Sequence, residues 1–308
     1  MEQIRTLSVV IPVYYSENTI GALVDNICKE LNHIKFEIIL INDGSTDNSW
    51  EAICELKRKY PDIITGINLA KNYGEHNALM AGYRQANAKY IVNIDDDFQN
   101  PPKEILKILK YIEELDCDVV YGKYNEKKHA KWRNIGSWLN SWIAEKTFNK
   151  PKTLYMSSFR ILNNKILQHI IKYKGPFAYI DGLIFRTTRR IEQTEVEHHV
   201  SVNKTSRYNL LKLISLWSNT LINFSLFPLR ISTLIGSVFS IIGVTMGIYY
   251  MFDKIFNPEI QIGWSSVIVT VMVFSGIQLM MIGILGEYIG RIYMENSETP
   301  QYIVDEIV

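Results

Sequence analysis

Cysteine is scarce: Cys28, Cys54 and Cys117 are the three in 308 residues. They are odd in number and widely spaced. No pair has metal-ligand spacing, and so few thiols do not make a disulfide framework. They read as reduced and cytosolic. Excess charge is missing too, since 33 Lys and Arg face 32 Asp and Glu, a net charge of +1. A chain so balanced has no global field to recruit nucleic acid or to favour an anionic membrane. Neither a G-x-G-x-x-G stretch nor a Walker pattern occurs, so a dinucleotide fold and a P-loop ATPase both lose support. Leu7–Val13 is too short an apolar run, with Pro12 inside it, to read as a signal peptide.

Charge is also absent locally. Residues 231–252 and 264–285 carry no charged side chain, and runs of about 22 apolar residues are long enough to cross a bilayer core. A pair of buried core helices is the alternative, but uncharged runs of this length are rare in soluble proteins of this size. Residues 253–263 between them hold one Lys against Asp253 and Glu259, whereas Lys204, Arg207, Lys212, Arg230 and Arg291 lie outside the pair. The positive-inside rule then puts both termini in the cytoplasm and the short loop outside, which predicts a multi-pass membrane protein. Just upstream, Leu210, Leu213, Ile214, Trp217, Leu221 and Phe224 share one helical face. A core helix would share that pattern, but beside a span it predicts an interfacial amphipathic helix.

What is present comes first as alternation. Leu7–Val13, Phe36–Asn42, Ile63–Leu69, Tyr90–Asp95 and Asp118–Tyr121 are short runs rich in Val and Ile. Amphipathic segments of helical length separate them: Glu17–Asn32, Asp47–Tyr60, Glu75–Asn87 and Lys103–Glu114. Ser45 and Asp47 offer N-caps for the second helix, and Pro101-Pro102 prepares the fourth. Continuous apolar strands with helices between them predict an α/β fold on a mainly parallel, doubly wound sheet. Ligands of such sheets bind at the carboxyl ends of the strands, and polar residues cluster there.

The strongest cluster is Asp95-Asp96-Asp97-Phe98-Gln99-Asn100-Pro101-Pro102. Mg²⁺ or Mn²⁺ takes hard oxygen ligands from one or two protein groups plus phosphates. On an extended segment Asp95, Asp97 and Gln99 would face one side, and three adjacent carboxylates without a basic neighbour would repel one another unless a cation joined them. An isolated triple Asp is more often a solvated turn. The strand before it, with the Gln and double Pro after it, makes this one more specific. The first strand ends in Pro12-Val13-Tyr14, followed by Glu17, and the second in Asn42-Asp43-Gly44-Ser45-Thr46-Asp47. Asp43 is placed to accept hydrogen bonds from a base or ribose, although Asp-Gly-Ser alone is ordinary turn chemistry.

Together Val10–Tyr14, Asn42–Asp47 and Asp95–Pro102 resemble the three signatures of inverting family-2 glycosyltransferases. Lys71-Asn72-Tyr73-Gly74, Leu285–Tyr293 and Pro300–Val304 narrow the resemblance to the polyprenyl-phosphate glycosyltransferases, among them bactoprenol glucosyltransferases and dolichyl-phosphate mannose synthases. The resemblance covers nearly the whole chain. It implies a GT-A catalytic domain over 1–208, an interfacial helix over 209–230, a transmembrane hairpin over 231–286 and a cytoplasmic tail over 287–308. It implies that Pro12, Tyr14, Glu17 and Asp43, with Asp95 and Asp96, hold the donor nucleotide. Asp95, Asp97 and Gln99 would bind Mg²⁺ or Mn²⁺. Lys123, Arg133 and Arg160 would meet phosphate. Where the group usually carries Arg-x-x-Gly-x-Ser-x-Tyr, this chain reads Ser201-Val202-Asn203-Lys204-Thr205-Ser206-Arg207-Tyr208, so either Lys204 or Arg207 takes over the arginine's phosphate or the site differs.

The expected reaction moves a sugar, with inversion, from a nucleotide diphosphate to a polyprenyl phosphate; by the same resemblance these are a UDP-sugar and undecaprenyl phosphate. The partners are then a nucleotide sugar, a lipid phosphate and the bilayer, without nucleic acid, and self-assembly stays open. A family-2 transferase acting on a sugar hydroxyl is the nearest alternative, and it would need a carboxylate base. The Glu-Asp pair common in such enzymes and the Gln-x-x-Arg-Trp motif of processive synthases are both absent. The intact acidic motif argues against a further alternative, an inactive membrane partner of the same fold.

Overall fold

The computed structural model describes residues 5–124, 151, 153–199, 227–256, 263–297 and 299–308. Two compact units emerge, one from Met1–Tyr208 with Glu298–Val308 and the other from Asn209–Ser297.

The first unit is the expected α/β sheet. Strands β1 (Leu7–Val13), β2 (Phe36–Asn42), β3 (Ile64–Leu69) and β4 (Tyr90–Asn93) alternate with helices α1 (Ile20–Glu30), α2 (Ser49–Lys59) and α3 (Glu75–Gln85), and α4 (Lys103–Leu115) leads to β5 (Val119–Tyr124). Strands β1 to β4 pair in parallel. Both faces of these strands are covered, so they read as unbroken apolar runs. Val9, Ile11 and Val13 meet α1, α2 and α4 on one face. Val10, Ile39 and Ile41 meet α3 on the other.

The second half of this sheet was not legible. β6 (Arg160–Asn163) inserts antiparallel between β4 and β5, and β7 (Ile191–Val196) adds a parallel strand to β5. Between them lie α5 (Asn164–Ile170) and α6 (Ile180–Thr187). The four residues of β6 and the mixed Ile-Glu-Gln-Thr-Glu-Val of β7 carry too weak a pattern to announce strands.

Residues 287–308, expected as a tail, do more than trail away. The last helix runs on to Asn296, and β8 (Val304–Ile307) closes the sheet antiparallel to β3, in the order β7-β5-β6-β4-β1-β2-β3-β8. Arg84 of α3 anchors this return, donating to the Tyr302 hydroxyl at 2.7 Å and to Gln301 Oε1 at 2.9 Å. Gln301 in turn donates to the Gly175 carbonyl.

The second unit is a pair of long helices, α7 (Phe227–Phe256) and α8 (Trp264–Asn296). Phe239 meets Phe274 edge-on at 5.7 Å between them. Among the described residues no helix is long and apolar enough to cross a membrane. Leu234, Ile241, Tyr249, Leu279, Met280 and Ile282 nonetheless stand exposed on this pair. The interfacial helix expected over 209–230 falls mostly outside the described residues.

Two glycines separate packing from propensity. A Cβ on Gly82 of α3 would stand 2.6 Å from Val10 Cγ1 and 2.7 Å from Ile41 Cδ1, whereas one on Gly21 of α1 would meet nothing within 4 Å. Gly21→Ala should therefore raise stability by about 1 kcal/mol through helix propensity. In Gly82→Ala an overpacking cost of about 1–3 kcal/mol opposes that gain and should lower the melting temperature. Urea unfolding of both variants checks the opposite signs.

Candidate active site

Four strands of the first unit deliver polar residues to one end of the sheet, their carboxyl ends or, for antiparallel β6, its beginning. From β1 come Tyr14, 44% exposed, then Tyr15 with φ 57° and Ser16. From β2 come Asp43 and Gly44, the latter at φ +63°, where a Cβ would lie 2.3 Å from the Lys71 carbonyl carbon. Only glycine allows that close approach. From β4 come Asp95 to Asn100, and from the start of β6 come Ser158 and Arg160.

The acidic segment is not extended, as alternation required. β4 ends at Asn93, and Phe98 sits at φ 60°, so the chain turns through Asp96–Gln99 and the three carboxylates diverge. Asp96 reaches back to β1, where its Oδ2 accepts from the Tyr14 N–H at 3.0 Å and from the Ser16 hydroxyl. Asp95 turns toward β6, where its Oδ2 accepts from the Ser158 hydroxyl. Asp97 Oδ1 accepts from the Gln99 N–H at 3.0 Å, closing a side-chain-to-backbone turn of the kind Asp favours. The Gln99 carbonyl accepts from the His199 N–H at 2.8 Å.

Two of these acids are largely desolvated, and the Arg160 charge offsets the cost only in part at Asp95. Burial first, then the charge of Glu75, pushes Asp95 up to about 7; the Ser158 hydrogen bond opposes this and the Asp97 charge adds to it. Burial likewise raises Asp96 to about 6 despite its bonds to Ser16 and Tyr14. Glu75, in the first turn of α3, is exposed, yet the surrounding protein desolvates its carboxyl and raises its pKa, with the Arg160 charge opposing the rise and Asp181, Asp96 and Asp43 adding to it. Among the described residues no three His, Cys, Asp or Glu side chains are arranged to hold an ion unaided. One or two hard oxygens with a negative field fit Mg²⁺ or Mn²⁺, whose remaining ligands are phosphates and water. Asp95 and Asp97 would be the protein's share.

Several expected donor contacts are occupied by the protein itself. Asp43, 3% exposed, accepts from the backbone N–H groups of Tyr73 at 2.8 Å and Gly74 at 3.0 Å. It thereby docks the start of α3, while burial raises its pKa against those two bonds. Glu17 Oε2 accepts from the Asn48 N–H at 2.9 Å, and Asp47 Oδ1 from the Ser49 N–H. Together they satisfy the entry to α2, whose N-cap is Asn48 rather than Ser45 or Asp47. Pro12 remains in β1, paired with Ile41.

The expected phosphate cations are dispersed. Arg160 is 1% exposed and pairs with Asp181 of α6, which also accepts from the Tyr121 hydroxyl at 2.7 Å. It lies beneath the site, not in its wall, because β6 carries it inward between β4 and β5. Lys123 on β5 stands partly exposed, 3.9 Å from Glu195 across the β5–β7 ladder. Arg133, Lys204 and Arg207 lie outside the described residues. Sequence reasoning missed Ser16, Glu75, His76 and Asp181. Glu75 and His76 follow Lys71–Gly74 directly and could have been suspected, whereas nothing near Asp181 marks it.

The Glycosyl transferase family 2 pattern matches residues 8–187, and that of the GtrB C-terminal hairpin matches residues 227–292. The undecaprenyl-phosphate 4-deoxy-4-formamido-L-arabinose transferase of Photorhabdus laumondii is 30% identical, over 100% of this chain and 95% of its own length. That of Yersinia pestis (strain Pestoides F) is 32% identical with the same coverage. Among solved structures, the glucosyl-3-phosphoglycerate synthase of Mycobacterium tuberculosis, in complex with Mn²⁺, uridine diphosphate and phosphoglyceric acid, aligns with a TM-score of 0.54 at 16% identity. That alignment covers 70% of this chain and 78% of the synthase, a likeness of fold. The match over residues 8–187, with relatives aligned from end to end, establishes that the chain belongs to glycosyl transferase family 2.

Proposed function

We propose that this glycosyltransferase moves a sugar from a uridine diphosphate donor to a polyprenyl phosphate, with inversion, at the cytoplasmic face of the inner membrane. The observation that carries the reading is the acidic loop after β4, three carboxylates of which two are held desolvated. The names of the full-length relatives supply the acceptor class, and the UDP and Mn²⁺ of the mycobacterial synthase supply the donor class. A bound Mg²⁺ or Mn²⁺ would neutralise the diphosphate as it leaves. Asp95 and Asp97 would hold that charge in place, with Gln99 beside them. Asp96, fastened to Tyr14 and Ser16, would fix the β1 end against the nucleoside.

The acceptor needs no general base. A phosphate monoester with a second pKa of about 6 is mostly ionised near neutral pH, unlike a sugar hydroxyl. Its difficulty is approaching another anion, so positioning and charge compensation carry the catalysis. Of the expected cations, Lys123, 3.9 Å from Glu195, is partly exposed, and Arg133, Lys204 and Arg207 are the remaining candidates. Arg160, committed to Asp181, would serve by holding α6 in place. The hairpin α7–α8 would seat the unit at the membrane where the lipid phosphate lies. Two observations support this: the charge-free runs 231–252 and 264–285, and the apolar side chains exposed along both helices. Assembly with further copies is compatible with the same surface.

Two outcomes test the reading. Purified protein incubated with a panel of nucleotide sugars and polyprenyl phosphate should yield a lipid-linked sugar identifiable by mass. Excess chelator or Asp97→Asn should abolish that product while circular dichroism stays native. Full turnover in chelator would remove the metal from the scheme.

For topology, a cysteine placed by Asn257→Cys in a chain lacking Cys28, Cys54 and Cys117 should react with an impermeant thiol reagent added to intact cells. One placed by Ser297→Cys should not. The reverse pattern would put the active site on the side without sugar nucleotides.

A further inference from the structure

The first turn of α3 carries two polar side chains that the fold leaves uncommitted. Asp43 docks the backbone just ahead of it through the N–H groups of Tyr73 and Gly74, and Glu75 and His76 follow at once. Glu75 is exposed, and among the described residues its carboxylate accepts no hydrogen bond. His76 is half-buried, its ring standing at 84° to that of Tyr179 with centroids 5.2 Å apart. Its Nδ1 is buried and finds no hydrogen-bond partner among the described residues, so Nε2 is the nitrogen left for a ligand. Burial pushes the imidazole pKa down to about 4, and the ring is neutral.

These side chains lie between the parts of the site that the donor's nucleoside and diphosphate would take. Toward the nucleoside, Asp43 follows directly on β2. Toward the acidic loop, Tyr179 leads into α6, whose Asp181 holds Arg160. Arg160 lies opposite Asn93 at the end of β4, and Ser158, two residues before it, donates to Asp95. Of the charges that raise the Asp95 pKa, that of Glu75 is the largest. A nucleotide sugar has three parts, and the third still needs a wall.

The chemistry of this wall suits a sugar. A carboxylate accepts hydrogen bonds, and a neutral imidazole nitrogen donates or accepts according to its tautomer. A hydroxyl does both, so it satisfies either group. A sugar with a negative charge would not be satisfied. Of the charges that bear most on Glu75, Arg160 is the cation, buried and paired with Asp181, while Asp181, Asp96 and Asp43 are anions. We propose that Glu75 and His76 bind the hydroxyls of the donor's sugar and exclude sugars that carry a carboxylate. Like charge set against the wrong ligand is one of the two ways a site gains specificity. The inference rests on the uridine diphosphate donor proposed above and adds the class of sugar.

Calorimetric titration of the full chain in detergent, with Mn²⁺ present, tests it. The probes are uridine diphosphate, UDP-glucose and UDP-galactose, and the two matching acids, UDP-glucuronic and UDP-galacturonic acid. Wild-type protein should bind each acid about tenfold more weakly than its uncharged parent, the effect of one like charge in a partly dry site. Glu75→Gln keeps the shape and removes the charge, and it should bring acid and parent within about twofold of each other. His76→Phe keeps a ring against Tyr179 and removes the nitrogens. It should weaken the tighter of the two uncharged UDP-sugars about five- to tenfold, as loss of one hydrogen bond does. Uridine diphosphate itself should bind both variants as it binds wild type, with the melting temperature unchanged. Equal wild-type affinity for acids and parents, or a preference that survives Glu75→Gln, would overturn the inference while leaving the donor reading intact. So would a loss in His76→Phe that is equal for uridine diphosphate and its sugars and comes with a lower melting temperature, the mark of a merely structural residue. A wild-type protein that binds no uridine diphosphate would overturn both.

Discussion

Three consecutive carboxylates must be kept near one another and partly dry at the end of one short strand, and much of the first unit serves that end. Left to itself such a segment would swing into water, where its charges are solvated and far apart. Here it is turned at Phe98, tied to β1 through Asp96, to β6 through Asp95 and to the β7 exit through the Gln99 carbonyl. The electrostatic cost is visible in the raised pKa values of Asp95 and Asp96. A group held against its preference in this way is poised to accept compensating positive charge.

The surrounding elements read as the frame for that turn. Asp43 accepts from the amides ahead of α3 and so docks the helix start that carries Glu75 and His76. His76 is driven down to about 4 by burial, so its ring stays neutral against Tyr179. Arg160 is spent on Asp181, which ties the start of α6 to the sheet beneath the site. Asp43 and Arg160, charged residues expected at ligand contacts, thus also join elements of the fold.

Strands β1 and β2 were legible to the residue, because strands covered on both faces leave long apolar runs that helices of ordinary length punctuate. Strands β6 and β7 were not, since β6 is four residues long and β7 mixes Glu, Gln and Thr with Ile and Val. Site residues were legible by type and place but not by partner. The loop after β4 announced itself through its carboxylates, yet nothing in Asp95-Asp96-Asp97 says that Asp95 and Asp96 turn opposite ways. That is decided by Tyr14, Ser16 and Ser158, residues from 63 to 82 positions away along the chain.

The closing strand has a consequence for how the protein is made. β3 is translated early, but its outer edge is paired with β8, where Leu69 faces Val304 and the amide and carbonyl of Gly66 bond to those of Val308. A ribosome releasing this chain exposes that edge, with Asn68 and Leu69 on it, until Val304–Ile307 emerge. Everything between, including both long helices, is synthesised while the sheet lacks its final member. The sheet is therefore completed only after both long helices have been made, so a chain stalled after the second helix carries an open, aggregation-prone edge and an Arg84 without its Gln301 and Tyr302 partners.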